Sequence, residues 1–151
     1  MSEDFCFEIW AEHLHADQDF STEEKCDRFL NLLEDAQKNM SYDVAVEILR
    51  TFSDADDFEI QEHSRIILES IDKNIFYPAL IQELDGIIKR SPQKEWATTL
   101  VGIEFDYGNP DDLMRVVQKS PEKSRAVFYE FVASQGFLSE YPSALKYISQ
   151  Q

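Results

Sequence analysis

Apolar residues recur along this chain mostly at intervals of three and four, the period of a helix with one buried side. In "STEEKCDRFLNLLEDAQKNM" (residues 21–40), Cys26, Phe29, Leu30, Leu33 and Met40 fall on one face, and Ser21 with Glu24 fits a capping box. "SYDVAVEILRTF" (41–52) aligns Ala45, Ile48, Leu49 and Phe52, with Ser41 as its cap. "FEIQEHSRIILESI" (58–71) aligns Ile60, Ser64, Ile67, Leu68 and Ile71. "YPALIQELDGIIKR" (77–90) aligns Leu80, Leu84, Ile87 and Ile88, with Pro78 suited to a first turn.

The later helices share a start signal. Ser91-Pro92, Asn109-Pro110 and Ser120-Pro121 each place a capping side chain before a proline, whose missing N–H costs nothing in a first turn. Trp96, Leu100 and Ile103 follow the first pair, then Leu113, Val116 and Val117, then Val127, Phe128, Phe131 and Val132. Gly136 reads as a stop, and a short helix is expected from Pro142 to Ile148. The first segment, "FCFEIWAEHLH", fits either period. Phe5, Phe7 and Ile9 alternate as in a strand, whereas Cys6, Ile9, Trp10, His13 and Leu14 share a helical stripe. A lone strand would have no partner, so a helix is expected there.

The expectation is an all-α single domain over residues 1–151, an array of seven or eight short antiparallel helices. It could be a HEAT-like α-solenoid or an irregular helical bundle. No helix reads as apolar all round, which favours the solenoid.

Charge adds a second pattern. The chain has 30 Asp and Glu against 14 Lys and Arg, a net charge of −16. Residues 1–62 hold 18 of the acids and 4 of the bases, whereas residues 63–151 hold 12 and 10. Solubility requires no such asymmetry, so it suggests a basic partner and argues against direct binding to nucleic acid. No apolar run approaches the roughly 18 residues of a membrane span, so no membrane association is expected. "MSEDFCFEIW" lacks the basic start of a secretory signal. With only two cysteines, Cys6 and Cys26, reduced thiols in a cytoplasm are expected.

Candidate chemistry is sparse. "SDADDFEIQE" (53–62) carries five acids and no base. A calcium loop starting at Asp54 would need Gly at its sixth position and Glu at its twelfth, where Glu59 and Arg65 stand. Asp56 or Asp57 can cap the helix that follows, but one or two acids suffice for that. In "EHLHADQD", His13 and His15 are two residues apart, so on a helix they point apart and cannot share a metal. Nucleophile elbow, Walker loop, dinucleotide turn, zinc-protease helix and CxxC pair are all missing, so neither an enzyme nor a cofactor or metal site is expected. The aromatic residues at helical spacing read as core. "EFDYGNP" (104–110), acidic and aromatic with a turn at Gly108, is the candidate functional loop.

From "STEEKCDRFLNLLEDA" through "RAVFYEFVASQG", the pattern and acidity resemble the helical immunity proteins of bacterial contact-dependent and other polymorphic toxin systems, in particular immunity protein family 30. The resemblance implies a cytoplasmic protein that binds and neutralises a cognate toxin domain, often a nuclease. Nucleases are basic because their substrate is polyanionic, so an acidic inhibitor can exploit the same field. On this expectation the binding surface comprises Asp43, Glu47, Asp54, Asp56, Asp57, Glu59 and Glu62, with Asp106 and Tyr107. The competing expectation is a HEAT-like acidic adaptor that docks a basic segment within a larger assembly.

Overall fold

A computed structural model describes residues 5–57 and 59–149. Its regular structure is entirely helical, with no strand among the described residues. The order is α1 (Phe7–Asp17), α2 (Glu23–Lys38), α3 (Tyr42–Leu49), α4 (Ile60–Ser70), α5 (Lys73–Arg90), α6 (Trp96–Asp106), α7 (Pro110–Lys119), α8 (Glu122–Val132), α9 (Gln135–Glu140), a 3-10 helix (Pro142–Ala144) and α10 (Leu145–Ile148). The ambiguous first segment is therefore helical. There are more helices than expected because the chain after α8 breaks into short pieces. Ser134 caps α9 by accepting the N–H of Phe137, and Gly136 lies inside that helix rather than ending α8.

Several helix starts differ from the sequence reading. Thr22, not Ser21, caps α2 by accepting the N–H of Lys25. Ser41 caps α3 through Val44 N–H, and Asn109 caps α7 through Asp112 N–H with Pro110 as the first helical residue. Each such cap contributes about 1 kcal/mol. Of the other two pairs, Ser120-Pro121 does stand at a helix start, α8 beginning at Glu122, but its serine is no cap, and α6 begins only at Trp96, four residues after Pro92. Ser91 and Ser120 donate their hydroxyls backward, to the carbonyls of Ile87 and Val116. Both serines finish the preceding helix, because its last carbonyls lack intrahelical partners. Helix α5 begins five residues before Pro78, capped by Asp72, and runs through the proline at the cost of one backbone hydrogen bond.

Helix α5 organises the rest. It packs against α3 on the N-terminal side and against α6, α7 and α8 on the other. Of its residues only Asn74, Gln82 and Lys89 are exposed. That environment puts α5 at the centre of a compact all-helical arrangement. The polar residues that disguised it in sequence are tied to neighbours. Arg50 binds Glu83 through Nε at 3.0 Å, and Arg90 donates to the carbonyls of Phe52 and Leu49, both at 3.1 Å. Buried apolar residues from Trp10 to Ala144 form one connected core, which includes Phe29, Phe52, Phe76, Phe128 and Phe137.

Candidate functional site

The acidic stretch folds into the turn that precedes α4, and its carboxylates divide by role. Asp57, only 6% exposed, receives the N–H of Glu59 on Oδ1 (3.2 Å) and that of Gln61 on Oδ2 (2.7 Å). It is the cap of α4, and Lys94 Nζ lies 3.6 Å from it. Asp54 accepts the N–H groups of Gln93 and Lys94 at 2.9–3.2 Å, while its own N–H donates to the carbonyl of Arg90. It therefore fastens this turn to the one between α5 and α6. Asp56 and Glu59 are exposed, and Glu59 adopts a left-handed backbone conformation at φ 73°. Phe58 lies outside the described residues.

The remaining acids named from sequence are spread over two further places. Glu47 lies between His15 Nε2 (2.6 Å) and Arg50 (3.1 Å), joining α1 to α3, while Asp43 on the same helix is exposed. Elsewhere, Arg65 of α4 holds both Glu62 and Glu69. The phenol of Tyr141 is raised above its ordinary pKa by burial first, then by the carboxylates of Glu140 and Asp106, with Arg65 opposing. Asp106 accepts the hydroxyl of Ser143 at 2.7 Å. Arg65, which holds Glu62, and the α6-end residues Asp106 and Tyr107 thus all act on the Tyr141 phenol. Asp54 and Asp57 lie at the start of α4, and Asp43 and Glu47 belong to the α3 side.

Two large apolar side chains of α4 and of the end of α6 face water. Tyr107, the last residue before Gly108, is 86% exposed, and Ile66, next to Arg65 on α4, is 53% exposed. Ile66 was not singled out from sequence, although the signal was present. The inner stripe of α4 uses Ile60, Ser64, Ile67 and Leu68, which leaves Ile66 pointing outward.

Beneath Tyr107 lies a polar network that the sequence did not announce. Glu104 is 1% exposed and accepts from the Tyr77 hydroxyl (2.6 Å) and from Lys73 Nζ (2.9 Å). The same Tyr77 oxygen accepts the N–H of Asn109 at 2.9 Å. Burial, followed by the bond to Glu104, pushes the Tyr77 phenol well above its ordinary value. Gly108 is required by this packing, because a Cβ there would overlap the Glu104 carboxylate and lie 2.9 Å from the Tyr77 oxygen. The network ties α5 to α6 and fixes the backbone that presents Tyr107.

Among the described residues no three His, Cys, Asp or Glu side chains group as metal ligands. His15 is engaged with Gln18 and Glu47. His13 lines a separate cleft between α1 and α2, where Arg28 grips the buried Asp17 with two nitrogens, at 3.0 and 3.2 Å. Among the described residues no helix is long and apolar enough to cross a membrane. No protein-family model matches this chain, and neither does any curated protein or solved structure.

Proposed function

We propose that this chain is an immunity-type inhibitor that neutralises a basic toxin domain by binding it, without turnover, on the face formed by α4 and the end of α6. Tyr107 and Ile66 would serve as apolar anchors, with Glu62, Asp106 and the neighbouring Glu140 as a charged rim. The observation that carries the reading is the 86% exposure of Tyr107 on a backbone made rigid by the Glu104 network. A tyrosine has few rotatable bonds, so burying it against a partner costs little entropy for the area gained, and such residues dominate binding energies. The surplus of carboxylates supports a basic partner, because complementary fields speed encounter toward the order of 10⁸ M⁻¹s⁻¹ at low salt.

The test is to express the reading frame adjacent to this gene with and without the chain. The proposal requires toxicity alone, protection by the wild type, and a purified complex. In that complex Tyr107→Ala should weaken binding by about 2 kcal/mol or more, roughly thirtyfold, mainly through dissociation. Asp106→Asn should slow association and flatten its salt dependence. A harmless neighbour, or a complex indifferent to both substitutions, would refute it.

A further inference from the structure

Helices α1 and α2 form a solvent-facing cleft of 380 Å³. The exposed Ala16 and the half-buried Leu32 line it, and apolar groups make up most of its surface. Ile9, 56% exposed, stands one turn before His13 and two before Ala16 on the same stripe of α1, so the apolar surface continues along that helix. The charges around the cleft do not balance. Residues 7–38 contain nine Asp and Glu against three Lys and Arg. Two of those bases are already held, Lys25 by Asp19 and Arg28 by the buried Asp17. The other seven carboxylates are exposed and form no ion pair among the described residues, and only Lys38 stands against them. Glu24 and Asp35 share the α2 stripe of Arg28 and Asn31, and Glu12 lies one turn before Ala16. After Asp17, the carboxylate that Arg28 feels most is that of Glu24. The adjoining helices supply no free Lys or Arg. Arg50 of α3 is held by Glu47 and Glu83, and Arg65 of α4 by Glu62 and Glu69. Counting His13 of the lining as a cation still leaves a negative excess.

We propose that this cleft is the docking site for a basic amphipathic helix of a partner protein, with apolar side chains against Ile9, Ala16 and Leu32 and Lys or Arg side chains against Glu12, Glu24 and Asp35. Charge complementarity names the occupant. At physiological salt the screening length is about 8 Å, so a segment in the cleft feels chiefly the unpaired carboxylates of α1 and α2. A nucleic acid would be repelled by the same groups, and a second copy of this chain would bring its own net charge of −16 against them. From Ile9 to Ala16 the stripe runs about 10 Å at 1.5 Å per residue, which matches two turns of a docked helix with apolar anchors at three-and-four spacing. The cleft shares no residue with the α4–α6 face, so the two proposals stand or fall separately.

The test uses the full chain as bait for a phage-displayed library of random sixteen-residue peptides, with no product of a neighbouring gene present. Enrichment of sequences that combine Lys or Arg with Leu, Ile or Phe at three-and-four spacing is expected. The tightest of these, as a labelled synthetic peptide, should bind E12K/D35K about tenfold or more weakly than wild type. Ile9→Ser, which removes an apolar contact and no charge, should weaken binding about fivefold or more. The variant E122K/E130K carries the same change in net charge as E12K/D35K at exposed sites of α8, and it should bind almost normally. All five substituted residues are exposed, and thermal melts verify that each variant is folded. No enrichment, or enrichment of acidic or uncharged peptides, overturns the inference. So do wild-type affinity in Ile9→Ser and equal losses in the two charge variants. Self-association seen by sedimentation and abolished in E12K/D35K, in place of peptide binding, overturns it as well.

Discussion

Removing the hydroxyl of Tyr77 tests the network beneath Tyr107. In Tyr77→Phe the ring stays in its fully buried site, while Glu104 loses the donor at 2.6 Å and keeps Lys73 at 2.9 Å. A hydrogen bond to a charged group contributes about 1.5–3 kcal/mol. Asn109 also loses its acceptor, but it is exposed and water can replace it, which adds little. The net loss should therefore be about 2 kcal/mol, which for a chain of this length lowers the melting temperature by roughly 4–8 °C. Urea titration followed by circular dichroism at pH 7 should show a lower midpoint with an unchanged slope. The pH dependence gives a second reading. Because the folded state raises the Tyr77 phenol above its reference of 10.0, the neutral phenol's contribution is complete below pH 10 and is lost as pH rises toward the folded value. The wild type should therefore lose more stability than Tyr77→Phe above pH 10, and the two curves should converge. A variant within about 0.5 kcal/mol of wild type at pH 7, or stability curves that stay parallel above pH 10, would refute the argument.

Other substitutions separate structural acids from free ones. Asp57→Ala removes the α4 cap and should cost about 1–2 kcal/mol in a urea melt, whereas the exposed Asp56→Ala should change stability by less than about 0.5 kcal/mol. Gly102→Ala places a methyl group in the ring of Tyr141 and should cost about 1–3 kcal/mol, with a smaller penalty in a Tyr141→Ala background; an equal penalty in both would exclude that contact as the cause. Cys6 is exposed, while Cys26 is buried and its thiol is raised by burial, then by Asp27 and Asp57. A thiol reagent at pH 7.5 should accordingly modify one cysteine in the folded protein and two in urea, and rapid loss of both native thiols would contradict the packing around α2.

What the chain alone determined is local. The three-and-four spacing of apolar residues located the long helices, since a helix that buries one side must repeat its apolar groups at its own pitch. Ser41 and Asn109 were legible as caps because a cap depends on a side chain and an N–H two or three residues away. The prominence of "EFDYGNP" and the outward position of Ile66 were likewise present in the order of residues. Tertiary structure decided which polar groups were free. Ser91-Pro92 looks like a helix start, yet its hydroxyl satisfies a carbonyl left behind. Asp54 looks like surface charge, yet it binds the turn at residues 93–94, and of the two acids that could cap α4 the packing chose Asp57, within reach of Lys94. Glu104 looks like one more acid of a charged loop, and it is buried because Tyr77 and Lys73, about thirty residues earlier, supply its donors. The same distance in sequence hid the central place of α5, whose Glu83 meets Arg50 and whose Arg90 meets the carbonyls of Leu49 and Phe52. A carboxylate or guanidinium has no fixed environment of its own. Its partner is chosen by how helices pack, and spacing along one helix carries no record of that choice.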